Sequence, residues 1–255
     1  MSFYEPLGDG RYGSTRHTAG PWDPKFQHAG PPAALLGRAL ERCEPHDGFV
    51  LARLTFEILG PVPVDEVAVT ASVVRPGRSV ELLEGELSAG GRPAMTVRAW
   101  RLLGAATPTI APDASPPPRP AEETPPPPAL DGFGYGEAVE LRFAVGGWNQ
   151  PGPATVWTRL KVPLVRDEEP SGLQRVLAVA DSGNGVSAVL PLSEWLFINP
   201  ELSVHLRRKP RGEWICLDAA TTITAGGAGL ARSVLSDDDG VVAEGAQSLL
   251  VAPRG

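Results

Sequence analysis

Apolar positions along this chain fall into two matching series. Each begins with a stretch of helical spacing and continues through four stretches of strand spacing. The first series predicts a helix over Pro31–Glu44 and strands over Phe49–Leu59, Val64–Arg75, Ser79–Ser88 and Pro93–Leu103. Leu36, Leu40 and Cys43 share one face of that helix. Pro31-Pro32 suits its first turn, where a missing N–H has no helical partner to lose. In the first strand Leu54, Phe56 and Ile58 alternate with Arg53, Thr55 and Glu57, the period of a sheet packed on one face. The second series predicts a helix over Gly172–Asp181, with Ser171 and Gln174 at the spacing of a capping box and Leu173, Val176, Leu177 and Ala180 as its apolar stripe. Strands follow over Trp195–Arg208, Trp214–Thr224, Leu230–Leu235 and Val241–Ala252. The segments Gly77–Gly91 and Gly227–Gly240 match by eye as hairpins, with turn residues at Ala89-Gly-Gly91 and Asp237-Asp-Asp-Gly240.

One helix wrapped by an antiparallel sheet, occurring twice, is the pattern of an α+β double hotdog whose halves pack as a covalent pseudo-dimer. The 255 residues suffice for one large domain or two of about 120 residues each. Residues 105–130 carry Pro116-Pro-Pro and Pro125-Pro-Pro-Pro128, and proline both fixes φ and removes a donor. This segment is expected to be an extended, semi-rigid linker between an N-terminal unit, 1–104, and a C-terminal unit, 131–255.

Composition narrows the reading further. A hydrophobic content of 42% suits a globular core, and the longest apolar runs are strand-length, so no membrane insertion is expected. The start, Met-Ser-Phe-Tyr-Glu-Pro, lacks a basic region followed by an apolar run, so no secretory signal is expected. Cys43 and Cys216 lie in different halves without motif spacing and read as reduced thiols of a cytoplasmic protein. A net charge of −7 argues against general nucleic-acid binding. One basic run, Arg207-Arg208-Lys209-Pro210-Arg211, reads either as a solvated strand end or as a contact for a phosphorylated carrier. His17, His28, His46 and His205 are scattered and no cysteines pair, so neither a metal nor a cofactor is expected.

Three polar residues stand where apolar ones would be ordinary. Asp181 lies four residues after Leu177 and eight after Leu173, on the apolar face of its helix. A carboxylate there needs compensation for lost hydration, and it lies at the helix end where the macrodipole disfavours negative charge. The alternative is that the helix stops at Ala180 and Asp181 belongs to the Ser182-Gly-Asn-Gly185 turn. Gln247 alternates with Ala243, Gly245, Leu249 and Val251, which puts an amide on the more apolar face; a structural glutamine bonded to a loop would do the same. Asn199 precedes Pro200, a pair that breaks a strand ladder and re-aims the side chain, or that simply marks a bulge.

The segment Leu173–Gly183, the strand running from Asn199 to Arg208, and the tail from Gly229 through Ala246-Gln247-Ser248 resemble the acyl-CoA thioesterase II family. Trp22 through Gln27-His-Ala-Gly-Pro-Pro-Ala-Ala-Leu-Leu36 is similar to the glycine-containing entry to that family's first helix. The resemblance implies an acyl-CoA substrate hydrolysed to free acid and CoA. It also implies a water-activating set of an Asp on the second helix, a Thr on the next strand and a Gln on the last. Asp181 and Gln247 match two of these, and Asn199 stands where the family has threonine. In such a set no nucleophilic Ser or Cys is needed: a carboxylate takes a proton from water and an amide fixes that water's direction. The region of Gly30 is then a source of backbone oxyanion donors. His28 would line the acyl-CoA entrance, and Arg207, Arg208 or Lys209 would lie near the CoA phosphates. Matching the last strands by hand sets Arg98 against Gln247, and matching the helices sets Leu40 near Asp181, so one active centre per chain is expected.

Two other readings compete. Asp23 and His28 have the spacing used by hotdog hydratases, though the residues between them lack the Asn-Pro of that motif. A non-catalytic acyl-binding protein would keep the same fold, since fold alone does not fix function. No G-x-S-x-G occurs, and Gly132-Phe-Gly-Tyr-Gly136 lacks the strand-then-helix setting of a phosphate loop. Self-association into a homo-oligomer is left open.

Overall fold

A computed structural model describes residues 1–108, 110, 115–127, 130, 132–148 and 150–254. In chain order the elements are β1 (Tyr4–Gly8), β2 (Arg11–Ser14), a 3₁₀ turn (Arg16–Thr18), α1 (Gly30–Arg42), β3 (Phe49–Ile58), β4 (Glu66–Arg75), β5 (Val80–Ala89) and β6 (Arg92–Leu103). Then follow α2 (Gly134–Ala138), β7 (Val139–Gly147), β8 (Gln150–Leu160), α3 (Gly172–Ala180), α4 (Gly183–Val186), β9 (Trp195–Ile198), β10 (Glu201–Leu206), β11 (Trp214–Ile223), β12 (Ala228–Asp237) and β13 (Gly240–Pro253).

All strands join one antiparallel sheet in the order β1-β2-β4-β5-β6-β3-β10-β13-β12-β11-β8-β7, with β9 also paired to β13. The order reads alike from both edges. From one side it runs β1, β2, β4, β5, β6, β3; from the other it runs β7, β8, β11, β12, β13, β10. The halves meet where β3 pairs with β10, Leu54 opposite Val204 and Phe56 opposite Leu202, all four buried. Helix α1 lies against β4, β5 and β6; α3 lies against β8, β11 and β12; and the two helices pack on each other. This is a double hotdog.

The predicted helices and the eight strands that follow them are present. The predicted strand over Trp195–Arg208 is interrupted at Asn199-Pro200, giving β9 and β10. Ser171 accepts the Gln174 N–H at 3.2 Å, but the Gln174 side chain goes to Glu41 at 2.8 Å, so only half of the capping box forms. The hand match of Arg98 with Gln247 is off by one residue. Arg98 is exposed and faces Glu84 at 3.5 Å, whereas Gln247 is buried; its inward counterparts on β6 are Val97 and Ala99. Strand side chains have a period of 2, so a slip of one turns every residue to the other face.

The outer strands β1, β2, β7 and β8 were not marked by the hydrophobic pattern. β8 holds Pro151 and Pro153, and β7 ends in Gly146-Gly147, residues that strand interiors avoid and sheet edges tolerate. Beside them the proline-rich segment is docked rather than free. Trp157 Nε1 donates to Pro117 O at 2.9 Å, Trp148 Nε1 to Thr124 O at 3.1 Å and Arg142 to Pro120 O at 3.0 Å. Arg119 sits over the Trp157 and Trp214 rings. Residues 109, 111–114, 128 and 129 of this segment lie outside the described residues.

Helix packing is close at Gly30, where a Cβ would overlap the Ala178 carbonyl. Arg38 on α1 reinforces the contact with a bidentate pair to Glu168, at 2.7 and 2.6 Å, just ahead of α3. Two outcomes follow. Gly30→Ala should force the helices apart and cost about 1–3 kcal/mol, read as a lower unfolding midpoint in urea; an unchanged midpoint would show that the contact is slack. Residues 131–255 expressed alone would expose the β10 edge and the apolar face of α3, so they should be insoluble or self-associated. A stable monomer of this half, seen by sedimentation, would contradict the pseudo-dimer.

Candidate active site

Asp181 ends α3 as its C-cap, with backbone still near helical values (φ −68°, ψ −15°). The helix does stop at Ala180, yet the carboxyl turns inward and is 5% exposed. Its Oδ1 accepts from Asn199 Nδ2 at 2.8 Å and from Gln247 Nε2 at 3.1 Å. Its Oδ2 accepts from the Ala29 N–H at 3.1 Å, just ahead of α1 in the other half. A carboxylate offers about four lone-pair positions. Three take N–H donors, and the fourth lies on Oδ2, the oxygen 3.4 Å from His28 Nδ1.

Each donor is placed by its element. Gln247 sits on the inward face of β13, 1% exposed, and its Oε1 accepts the Asn184 N–H at 3.2 Å at the start of α4. Gly183 makes room, since a Cβ there would collide with Ser233 Oγ and Gln247 Oε1. Gln247 Nε2 also donates to the main-chain oxygen of Asp181 at 3.1 Å, and Asn199 Nδ2 to Glu201 O at 3.3 Å. The two protons of each amide are thus spent on Asp181 and adjacent backbone. In this state the amides hold the carboxylate.

His28 comes from the loop ahead of α1, and its side chain is 11% exposed. Its ring stacks on Tyr135, centroids 3.9 Å apart and planes 4° from parallel, and its Nδ1 accepts the Gly30 N–H at 3.1 Å. The Tyr135 hydroxyl donates to Ala178 O at 2.9 Å and lies 2.9 Å from Ser182 Oγ. Burial pushes the His28 imidazole below its ordinary pKa, with the Asp181 charge pulling the other way. Burial also raises the Tyr135 phenol. The arrangement favours a neutral ring and a neutral phenol around one charge, Asp181.

The structure therefore brings Asp181, Gln247, Asn199, His28 and Gly30 together. It does not bring Arg207 and Arg208 to them. Those residues follow β10 and, with Lys209, line a 440 Å³ cavity bounded by Leu40 of α1 and Leu173 of α3, at the opposite end of the helix pair. Arg207 is paired with Glu244, and Arg208 with Asp237. Asp23 accepts the Lys25 N–H at 2.9 Å in a local turn, and among the described residues no hydrogen bond or ion pair joins it to His28. Sequence reasoning missed the Ala29 N–H, Asn184 and Tyr135. A backbone donor has no residue-type signature. Tyr135 lies in the Gly132–Gly136 run, where five residues are too few to show a period.

Two family models match the chain: the acyl-CoA thioesterase N-terminal domain over residues 18–102 and the acyl-CoA thioesterase C-terminal domain over residues 112–251. No curated protein matches in sequence. Among solved structures the fold is similar to the acyl-CoA thioesterase II of Mycobacterium marinum, with TM-score 0.68 and 16% identity over 99% of this chain and 95% of that one. It is also similar to a hotdog-fold protein from Alicyclobacillus acidocaldarius, with TM-score 0.70 and 17% identity over 98% and 95%. A protein provisionally named thioesterase II from Thermobifida fusca gives TM-score 0.75 and 18% identity over 98% and 95%. With both domains matched in order on a double-hotdog fold, the chain belongs to the acyl-CoA thioesterase family of thioester hydrolases.

Proposed function

We propose that this protein hydrolyses a fatty or related acyl-CoA to free acid and CoA, with Asp181 as the general base for the attacking water. The observation that carries the reading is the Asp181 carboxylate itself, buried and held by donors from both halves. Water would bind at the remaining position on Oδ2. Its proton passes to Asp181 as the oxygen adds to the thioester carbonyl carbon. The tetrahedral intermediate collapses, the C–S bond breaks, and the thiolate leaves with the proton that Asp181 took. Gln247 and Asn199 keep the carboxylate fixed in direction, which spares the reaction a reorganisation step. Asparagine in place of the family's threonine supports this role because its amide reaches Oδ1 at 2.8 Å. The developing oxyanion needs backbone donors, and α1 offers the Gly30 N–H.

On the same reading residues 1–104 and 131–255 act as the two folding units, with 105–130 between them and one active centre per chain. No helix among the described residues is long and apolar enough to cross a membrane. A cytoplasmic enzyme acting on CoA esters fits that observation and the two free cysteines.

Asp181→Asn keeps the shape and removes the base, so kcat should fall by about 10²–10⁴-fold while acyl-CoA still binds. Gln247→Ala should cost less, because the base remains. The assay is thiol release across a ladder of acyl-CoA lengths, and an Asp181→Asn variant as fast as its parent would sink the assignment. Asn199→Ala strips a donor from a buried charge and should lower unfolding free energy by about 1–3 kcal/mol, measured by urea titration.

A further inference from the structure

We propose that His28 is a positioning residue that couples the base to the oxyanion donor: a proton taken up on Asp181 Oδ2 claims His28 Nδ1 and releases the Gly30 N–H to the substrate carbonyl. The inference rests on the hydrolytic reading above and adds a role for a side chain that the reading leaves idle.

The first N–H groups of a helix have no intrahelical partner. At α1 these belong to Ala29, Gly30 and positions 31 and 32, and the last two are prolines without an N–H. Ala29 donates to Asp181 at 3.1 Å and Ala33 is satisfied within the helix by Ala29 O at 3.0 Å. Only Gly30 is left to serve an oxyanion, and in the resting protein His28 Nδ1 occupies it.

A neutral imidazole nitrogen without a proton has one lone pair. Two hydrogens compete for the one on Nδ1: that of Gly30, whose nitrogen is at 3.1 Å, and any proton on Asp181 Oδ2, at 3.4 Å. While Asp181 is charged there is no second competitor, and Nδ1 keeps Gly30. When Asp181 takes the water proton, its other lone pairs are already filled. The new O–H therefore lies on Oδ2, and once the water oxygen has bonded to the carbonyl carbon, Nδ1 at 3.4 Å is the acceptor left to it. The Gly30 N–H is freed as negative charge forms on the carbonyl oxygen. On collapse the proton leaves with the thiol, and Nδ1 returns to Gly30. No net proton stays on His28, and nothing is oxidised or reduced. The Tyr135 stack lets the ring turn in its plane but not tip away, and Tyr135 is itself held by Ala178 O and Ser182. The titratable groups facing the ring are Asp181 and Tyr135, and burial favours the neutral imidazole that the exchange requires.

Two measurements test this. In the resting protein, ¹⁵N NMR should show His28 Nδ1 unprotonated, with the ring proton on Nε2; a protonated Nδ1 donating to Asp181 overturns the proposal whether or not any substrate is hydrolysed. In kinetics, His28→Phe keeps an aromatic stack and removes the acceptor. It should lower kcat by about tenfold, the loss of one hydrogen bond, with KM unchanged or lower because Gly30 is then free in the ground state. His28→Gln restores an acceptor and should recover most of the rate. A His28→Phe variant as fast as the parent, or Phe and Gln variants equally slow with raised KM, would reduce His28 to a packing residue. A parent that releases no thiol from any acyl-CoA overturns the functional reading and this coupling together, whereas an active parent with either of those variant results overturns the coupling alone.

Discussion

Taking a carboxylate out of water costs several kcal/mol unless donors replace the lost hydration, and the placement of both halves answers to that cost at Asp181. The charge lies at the negative end of its own helix and beside the positive end of the other. These two dipole contributions have opposite sign and are each worth about 0.3–1 kcal/mol, up to about 2 when partly buried. Three hydrogen bonds to a charged acceptor, at about 1.5–3 kcal/mol each, outweigh either. One comes from ahead of α1, one from β13 and one from the break between β9 and β10. The helices must therefore approach until Gly30 touches the Ala178 carbonyl, and the ladder must be interrupted at Asn199-Pro200. The site is a requirement on the fold as well as a product of it.

The approximate two-fold makes the other end of the helix pair a natural comparison. There α3 begins, and a carboxylate from the other half again stands at its first turn. Glu41 accepts from Ser171 Oγ and from Gln174 Nε2, each at 2.8 Å. The chemistry has diverged around this shared geometry. Glu41 is half-buried where Asp181 is 5% exposed. On β6 the inward counterparts of Gln247 are Val97 and Ala99, apolar residues that bring no amide to the helix pair. A half-solvated carboxylate bonded to a cap serves helix docking, whereas the buried one is ringed by two amides and a backbone N–H.

Much of this was legible in the chain. Strict alternation placed Gln247 inward, helical spacing placed Asp181 on the apolar face of α3, and the proline after Asn199 marked the strand break. These are properties of side chains along one element, and periodicity reports them directly. What the chain did not show were meetings between elements. That Ala29 offers its N–H to a residue 152 positions away follows from helix packing, which no local pattern encodes. The outer strands were missed because prolines and glycines obscure their period. Arg207 and Arg208 read as a solvated strand end or a carrier contact because their partners, Glu244 on β13 and Asp237 on β12, lie 37 and 29 residues away in the chain. The match of Arg98 to Gln247 failed by one residue, the smallest slip a sheet allows and one that reverses the face.

Pro31-Pro32 show how one local choice carries through every level. In sequence they announce a helix start, because their fixed φ suits the first turn and their missing N–H breaks no bond there. At the helix terminus the same absence removes two of the donors that would otherwise point at the site. An ordinary first turn would present a spray of N–H groups to any anion nearby. Here only the N–H groups of Ala29 and Gly30 remain, and each has a single partner, Asp181 for one and His28 for the other. With so few donors, the carboxylate and any further acceptor cannot both be served from surplus. Whichever group holds Gly30 decides whether that N–H is available to another acceptor, and in the structure that group is His28.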